Sequence, residues 1–169
     1  DAINVTDGAS AKSHMSALAT AAILAQNGIE PILQFTTRDR NRIAIQGDLL
    51  GGWALDIPNI LCLYGDEVKG GDQPDTKEVR DLDTIGILKT AHDIKTKKMY
   101  PSGRKINDAP EFFIGGADTP FKVNNDFNGS NLIKKIEAGV EFFQTQYAFD
   151  ENILKNYMLK LNELHITDK

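Results

Sequence analysis

Apolar positions along this chain alternate between two spacings. Short, largely apolar runs at residues 2–6, 32–36, 60–64, 112–114 and 142–147 predict strands. Between them, apolar residues recur at helical spacing. Met15, Leu18, Ala22 and Ala25 share one face of a helix expected over 10–27, which Gly28 stops. Ile45, Leu49, Leu50 and Trp53 mark a second helix, with Asp39 a candidate N-cap. Two more are expected at 82–96 and 131–138, and a final helix carries Ile153, Leu154, Tyr157, Met158 and Leu161. The strand-then-helix unit recurs roughly five times with no composition break, which predicts one domain over residues 1–169 built on a parallel sheet.

Parallel strands interleaved with helices open their carboxyl ends onto one face, where such folds place their chemistry. Two strands stop there on polar groups. Asn59 to Asp66 ends in Tyr64-Gly65-Asp66, and Glu141 to Asp150 carries Gln144 and Gln146, so Asp66 and Gln146 are expected to meet. The polar loop between Asp66 and Asp81 is longer than a strand-to-helix connection needs, which favours a functional role. Gly115 and Gly116 at another strand end are expected to let backbone approach a ligand closely. Periodicity alone does not separate an open doubly wound sheet from a barrel. No Gly-x-Gly-x-x-Gly or Walker A sequence follows any strand, which favours a (β/α)8 TIM barrel, supplied here only in part.

Composition narrows the partner. The net charge of −5, with basic residues scattered among acids, gives no footprint for nucleic acid, and no run approaches a membrane span. The first residues lack the layout of a signal peptide, and Cys62 is the only cysteine. Cys62 suits a small buried hydrophobe better than a nucleophile. His14, His92 and His165 fall in three separate helical patterns without metal spacing, so no metal is expected.

Several candidates carry two readings. Asp66 serves equally as a helix N-cap or as a charge at the open face. Gln144 and Gln146 alternate with Thr145 and point to one side, either toward a ligand or into mutual pairing in a core. Arg38 and Arg40 suit a phosphate or a solvated loop. Of Lys134 and Lys135, one is expected to reach the open face and hold an anion while the other stays at the surface.

Taken in order, these segments resemble the methylenetetrahydrofolate reductase family. The match runs through Ile3-Asn4-Val5-Thr6-Asp7-Gly8, Glu30-Pro31-Ile32-Leu33-Gln34-Phe35-Thr36-Thr37, Leu63-Tyr64-Gly65-Asp66, Lys135-Ile136-Glu137-Ala138-Gly139 and Phe143-Gln144-Thr145-Gln146-Tyr147-Ala148-Phe149-Asp150. The run Arg38-Asp39-Arg40-Asn41-Arg42-Ile43-Ala44 and the Gly-Asp-Gln-Pro stretch at 71–74 resemble the bacterial and archaeal branch of one-carbon metabolism.

The resemblance implies a (β/α)8 barrel, of which this chain would supply the second to sixth strands. It implies a flavin, FAD with FMN as the alternative, and reduction of 5,10-methylenetetrahydrofolate to 5-methyltetrahydrofolate in the cytoplasm. Asp66 and Gln146 match the family's catalytic aspartate and glutamine. Thr6, Gln34, Tyr64, Gly65, Gly115, Gly116, Asn128 and Lys135 fall at positions expected to bind the cofactor, with Asn128 standing where other members carry an acid. The family's proton donor is a glutamate on a strand ahead of Asn-Val-Thr, before the first residue here. The electron donor would be NAD(P)H or a partner redox protein, and the chain would act as a homo-oligomer or a subunit of a complex. The alternative function is a non-catalytic flavin- or folate-binding subunit that passes electrons or methyl groups to a partner.

Overall fold

In the computed structural model, residues 2–124 and 126–167 are described. Five strands, β1 (Ala2–Val5), β2 (Glu30–Thr36), β3 (Asn59–Leu63), β4 (Phe113–Asp118) and β5 (Phe142–Thr145), pair in chain order and all in parallel. Each is followed by a helix: α1 (Ala17–Gln26), α2 (Arg42–Ala54), α3 (Thr84–Lys97), α4 (Ser130–Glu137) and α5 (Glu151–Glu163). The sheet curls, as one side of a barrel does, and β1 and β5 are its edges among the described residues.

Register sorts the strand residues into two faces. Leu33 pairs with Ile60 and Ile60 with Ile114, and these, with Val5, Phe35 and Cys62, meet Ala17, Ala21, Ile45, Leu49, Ile87, Leu88, Ala91 and Ile94 from α1, α2 and α3 in the main core. The alternate residues, Asn4, Gln34, Thr36, Leu61, Leu63, Ala117 and Gln144, face the concave side. That row is half polar. An interior so composed is unsuited to a dry core and suited to a ligand with donors and acceptors. Leu132, Tyr157, Leu161 and Ile166 form a second cluster between α4 and α5.

The helix starts follow from capping. Asn41 Oδ1 accepts from the Ile43 and Ala44 amides at 3.1 and 3.0 Å, Asp83 from Gly86 at 2.7 Å, and Asp150 from Asn152 and Ile153 at 2.9 and 3.2 Å. Asp39 is therefore not the cap of α2, because its carboxylate is held by Arg38 instead. The first helix starts later than expected. Ser10 and Ala11 take left-handed backbone at φ 55° and 53°, so residues 9–11 form only a 3-10 turn, and Met15 lies outside α1 at 62% exposure. His14 and His165 likewise fall outside the helices, and only His92 is helical. β4 runs on through Gly115 and Gly116 to Asp118, past the expected end.

Candidate active site

The carboxyl ends of the strands surround a cleft of about 790 Å³. Asn4, Thr6 and Asp7 line it from the first strand and its end, Gln34 and Thr36 from β2, Leu61 to Asp66 in part from β3, and Gln144 to Tyr147 from the end of β5. Asp66 and Gln146 thus share one cavity, as expected. Gln144 is half-buried and Gln146 exposed, so the two amides line the cleft and do not form a core pair. Asn4 Oδ1 is buried without a hydrogen-bond partner among the described residues, and such an acceptor calls for a ligand donor. Gln34 uses its Oε1 to accept from the Asp7 amide at 3.4 Å.

Asp66 is not an N-cap, since Asp83 opens α3. Its carboxylate stands exposed at the cleft, accepting from the Ser10 amide at 2.9 Å. The left-handed turn at residues 8–11 is what aims that amide across. The Asp72 carboxylate accepts from the Ser13 amide at 3.3 Å, so the loops after β1 and β3 are tied together twice. Gly65, at φ 86°, sits where an added Cβ would lie 3.0 Å from Thr36 Cβ and 3.1 Å from Arg38 Cβ. Glycine is required there by both conformation and space.

Arg38 and Arg40 are neither solvated nor open to a phosphate. Arg38 is buried and forks onto Asp39 at 2.8 and 2.7 Å, with Nη1 also donating to the carbonyls of Gly8 and Asp66 at 3.2 and 3.4 Å. That fork holds the Asp39 carboxyl below the usual carboxylate range. Arg40 is paired with buried Asp7 at 2.6 Å and with Asp48 at 2.8 Å. Asp7 also accepts from the Thr36 amide and hydroxyl, both at 2.9 Å. A carboxylate so fully engaged braces the cleft floor.

A second cavity of about 420 Å³ adjoins the first, and Leu63, Tyr64 and Ala117 line both. Lys135 lines it and is half-buried, while Lys134 stays exposed. The Lys135 ammonium donates to the Ala117 carbonyl, and burial lowers its pKa, with Asp118 working against that shift. Asp118 accepts from the Tyr157 hydroxyl at 2.8 Å, and burial, ahead of this bond, pushes that phenol up.

The two strand-end glycines serve packing. An added Cβ on Gly115 would lie 2.3 Å from Phe142 Cζ, so that ring covers the glycine where a ligand was expected. Gly116 faces Val140 and Phe143. Neither lines either cavity. Asn128 accepts from the Ser130 amide at 3.0 Å at the start of α4 and is exposed. Burial raises the Cys62 thiol to about 12, which leaves it inert in the core. No group of three or more potential metal ligands occurs among the described residues.

Asn4, Arg80 and Asp118 are residues in or beside the site that the sequence pattern did not single out, whereas Asp7 stands out with Thr6 at the end of its strand. Asn4 carried a signal, since it lies two positions before Thr6 and so on the same side of the strand. Arg80 carried none.

The family model described as methylenetetrahydrofolate reductase matches residues 1–169. No curated protein matches the chain significantly.

Proposed function

The chain belongs to the methylenetetrahydrofolate reductase family, and from that premise we propose that its cleft reduces 5,10-methylenetetrahydrofolate to 5-methyltetrahydrofolate with a flavin, FAD ahead of FMN. The supporting observation is one cleft that sets a single exposed carboxylate, Asp66, among amide side chains and an unpartnered buried acceptor. The proposed frame is one cytoplasmic domain forming one side of a (β/α)8 barrel.

The residues fit the cofactor. The Asn4 acceptor suits an N–H-bearing ring edge, with Thr6, Gln34, Tyr64 and Gly65 around it. Lys135 in the adjoining cavity suits an anionic arm, with Asn128 at the same end of the fold. When bound, a reduced flavin supplies the hydride. Asp66 stabilises the iminium cation that forms when the folate ring opens, and its charge gains strength as the bound rings exclude water. Gln146 offers a donor and an acceptor together, matching the amide-like edge of the pterin.

Anaerobic titration of the flavin-loaded protein tests this. Reduction by NADH, NADPH or a partner redox protein, followed by reoxidation with methylenetetrahydrofolate, is the expected result. Binding of flavin or folate without turnover would replace it with the carrier-subunit function, and no binding of either would sink both.

A further inference from the structure

Arg80 reaches this site from the far end of the loop after β3. Its backbone sits at φ 41°, a left-handed conformation that is costly for a residue with a Cβ and persists where surrounding contacts enforce it. The side chain is 13% exposed and folds back over the start of its own loop. Nη1 donates to the Tyr64 carbonyl at 2.9 Å, while Nη2 donates to the carbonyls of Gly65 and Asp66 at 3.3 and 3.4 Å. The guanidinium carbon lies 3.8 Å from the centre of the Tyr64 ring. Glu78 accepts from Nε and from the same Nη2, and it also accepts from the Val68 amide at 3.0 Å.

One side chain therefore holds three consecutive carbonyls that lead into the Asp66 carboxylate, and it also stacks on the ring of Tyr64, a residue that lines both cavities. From the other side Arg38 meets the same Asp66 carbonyl. Loop packing alone would be served by an apolar contact. A planar fork spread over successive carbonyls instead fixes direction, because its donors are rigid relative to one another.

We propose that Arg80 is a positioning residue: it sets the Tyr64-Gly65-Asp66 backbone so that the Asp66 carboxylate faces the cationic end of the folate, and it holds the Tyr64 ring as the wall between the two cavities. This rests on Asp66 being the charge that stabilises the iminium, as proposed above. A misplacement on the order of 1 Å is enough to lose about a hundredfold in rate, so Arg80 acts on the chemical step without touching substrate.

The test is a double-mutant cycle on the flavin-loaded chain, read as the single-turnover rate of reoxidation by methylenetetrahydrofolate, with folate affinity measured separately by calorimetry. Arg80→Ala is expected to slow the step roughly tenfold to a hundredfold while folate affinity changes little. Arg80→Lys, which keeps the charge and loses the fork, is expected to stay slow. In the Asp66→Asn background, removing Arg80 is expected to slow the step no further. Arg80→Gln replaces Arg80→Ala if the alanine variant does not fold. Full rate in Arg80→Lys, or losses that multiply in the double variant, would overturn the positioning role while Asp66→Asn alone remains slow. Full rate in Asp66→Asn alone would instead overturn the assignment of Asp66 on which the role rests.

Discussion

At the scale of single residues, the proposed chemistry rests on one charge and one amide with different tasks. Asp66 is an exposed carboxylate whose protein partner is a backbone amide, so it remains free to face a developing cation. Asp66→Asn should leave flavin bound and slow the folate half-reaction by about two orders of magnitude, since losing one preorganised electrostatic stabiliser typically costs about 2.7 to 4 kcal/mol. Anaerobic stopped-flow reoxidation measures this, and an unchanged rate would remove Asp66 from the chemistry. Gln146 lines the cleft and is exposed, so Gln146→Ala should weaken folate binding or donor oxidation and leave the melting temperature nearly unchanged. A large loss of stability with normal kinetics would mean that the amide belongs to packing.

The element that decides the site is the loop between β3 and α3. Its far end carries two carboxylate–guanidinium pairs, Glu78 to Arg80 and Asp81 to Arg42 at the start of α2. The hydrogen bond from Arg80 lowers the Glu78 carboxyl from 4.5 to about 2, and the one from Arg42 lowers Asp81 from 3.8 to about 2. A carboxyl depressed on folding contributes stability that is present above its unfolded value and lost as pH falls through its folded value. The loop should therefore loosen between pH 4.5 and about 2. Hydrogen exchange of residues 64–80 across that range measures it. Glu78→Gln should raise exchange at neutral pH and flatten its acid dependence, and an unaltered acid dependence would show that the pair does not hold the loop.

For the whole molecule, the main core and the cleft lie on opposite faces of one sheet. The helix-side face carries the main core, and the concave face carries the polar row. Ile60, fully buried on central strand β3, should cost about 2–5 kcal/mol when changed to alanine. Ile3, 48% exposed on edge strand β1, should cost well under half as much. Urea unfolding of the two variants measures the contrast, and equal losses would mean that the edge strand is buried in the protein as it works.

Alternating periods alone determined the five strand-and-helix units, their parallel arrangement and the face on which Asp66 and Gln146 appear, because burial on one side of a helix or both sides of a strand leaves its mark at each position. Capping motifs and loop conformation were less legible. Nothing local distinguishes Asp39 from Asn41 as the cap of α2, since the choice turned on Arg38 folding back onto Asp39. The same holds for the glycines: Gly65 and Gly115 look alike in the chain, yet one makes a left-handed turn under Asp66 and the other makes room for Phe142. Tertiary structure alone decided that Arg80 closes on Tyr64, Gly65 and Asp66 and that Ser10 donates across to Asp66. Those contacts join loops distant in sequence, and their geometry exists only once the sheet has curled and brought the strand ends together.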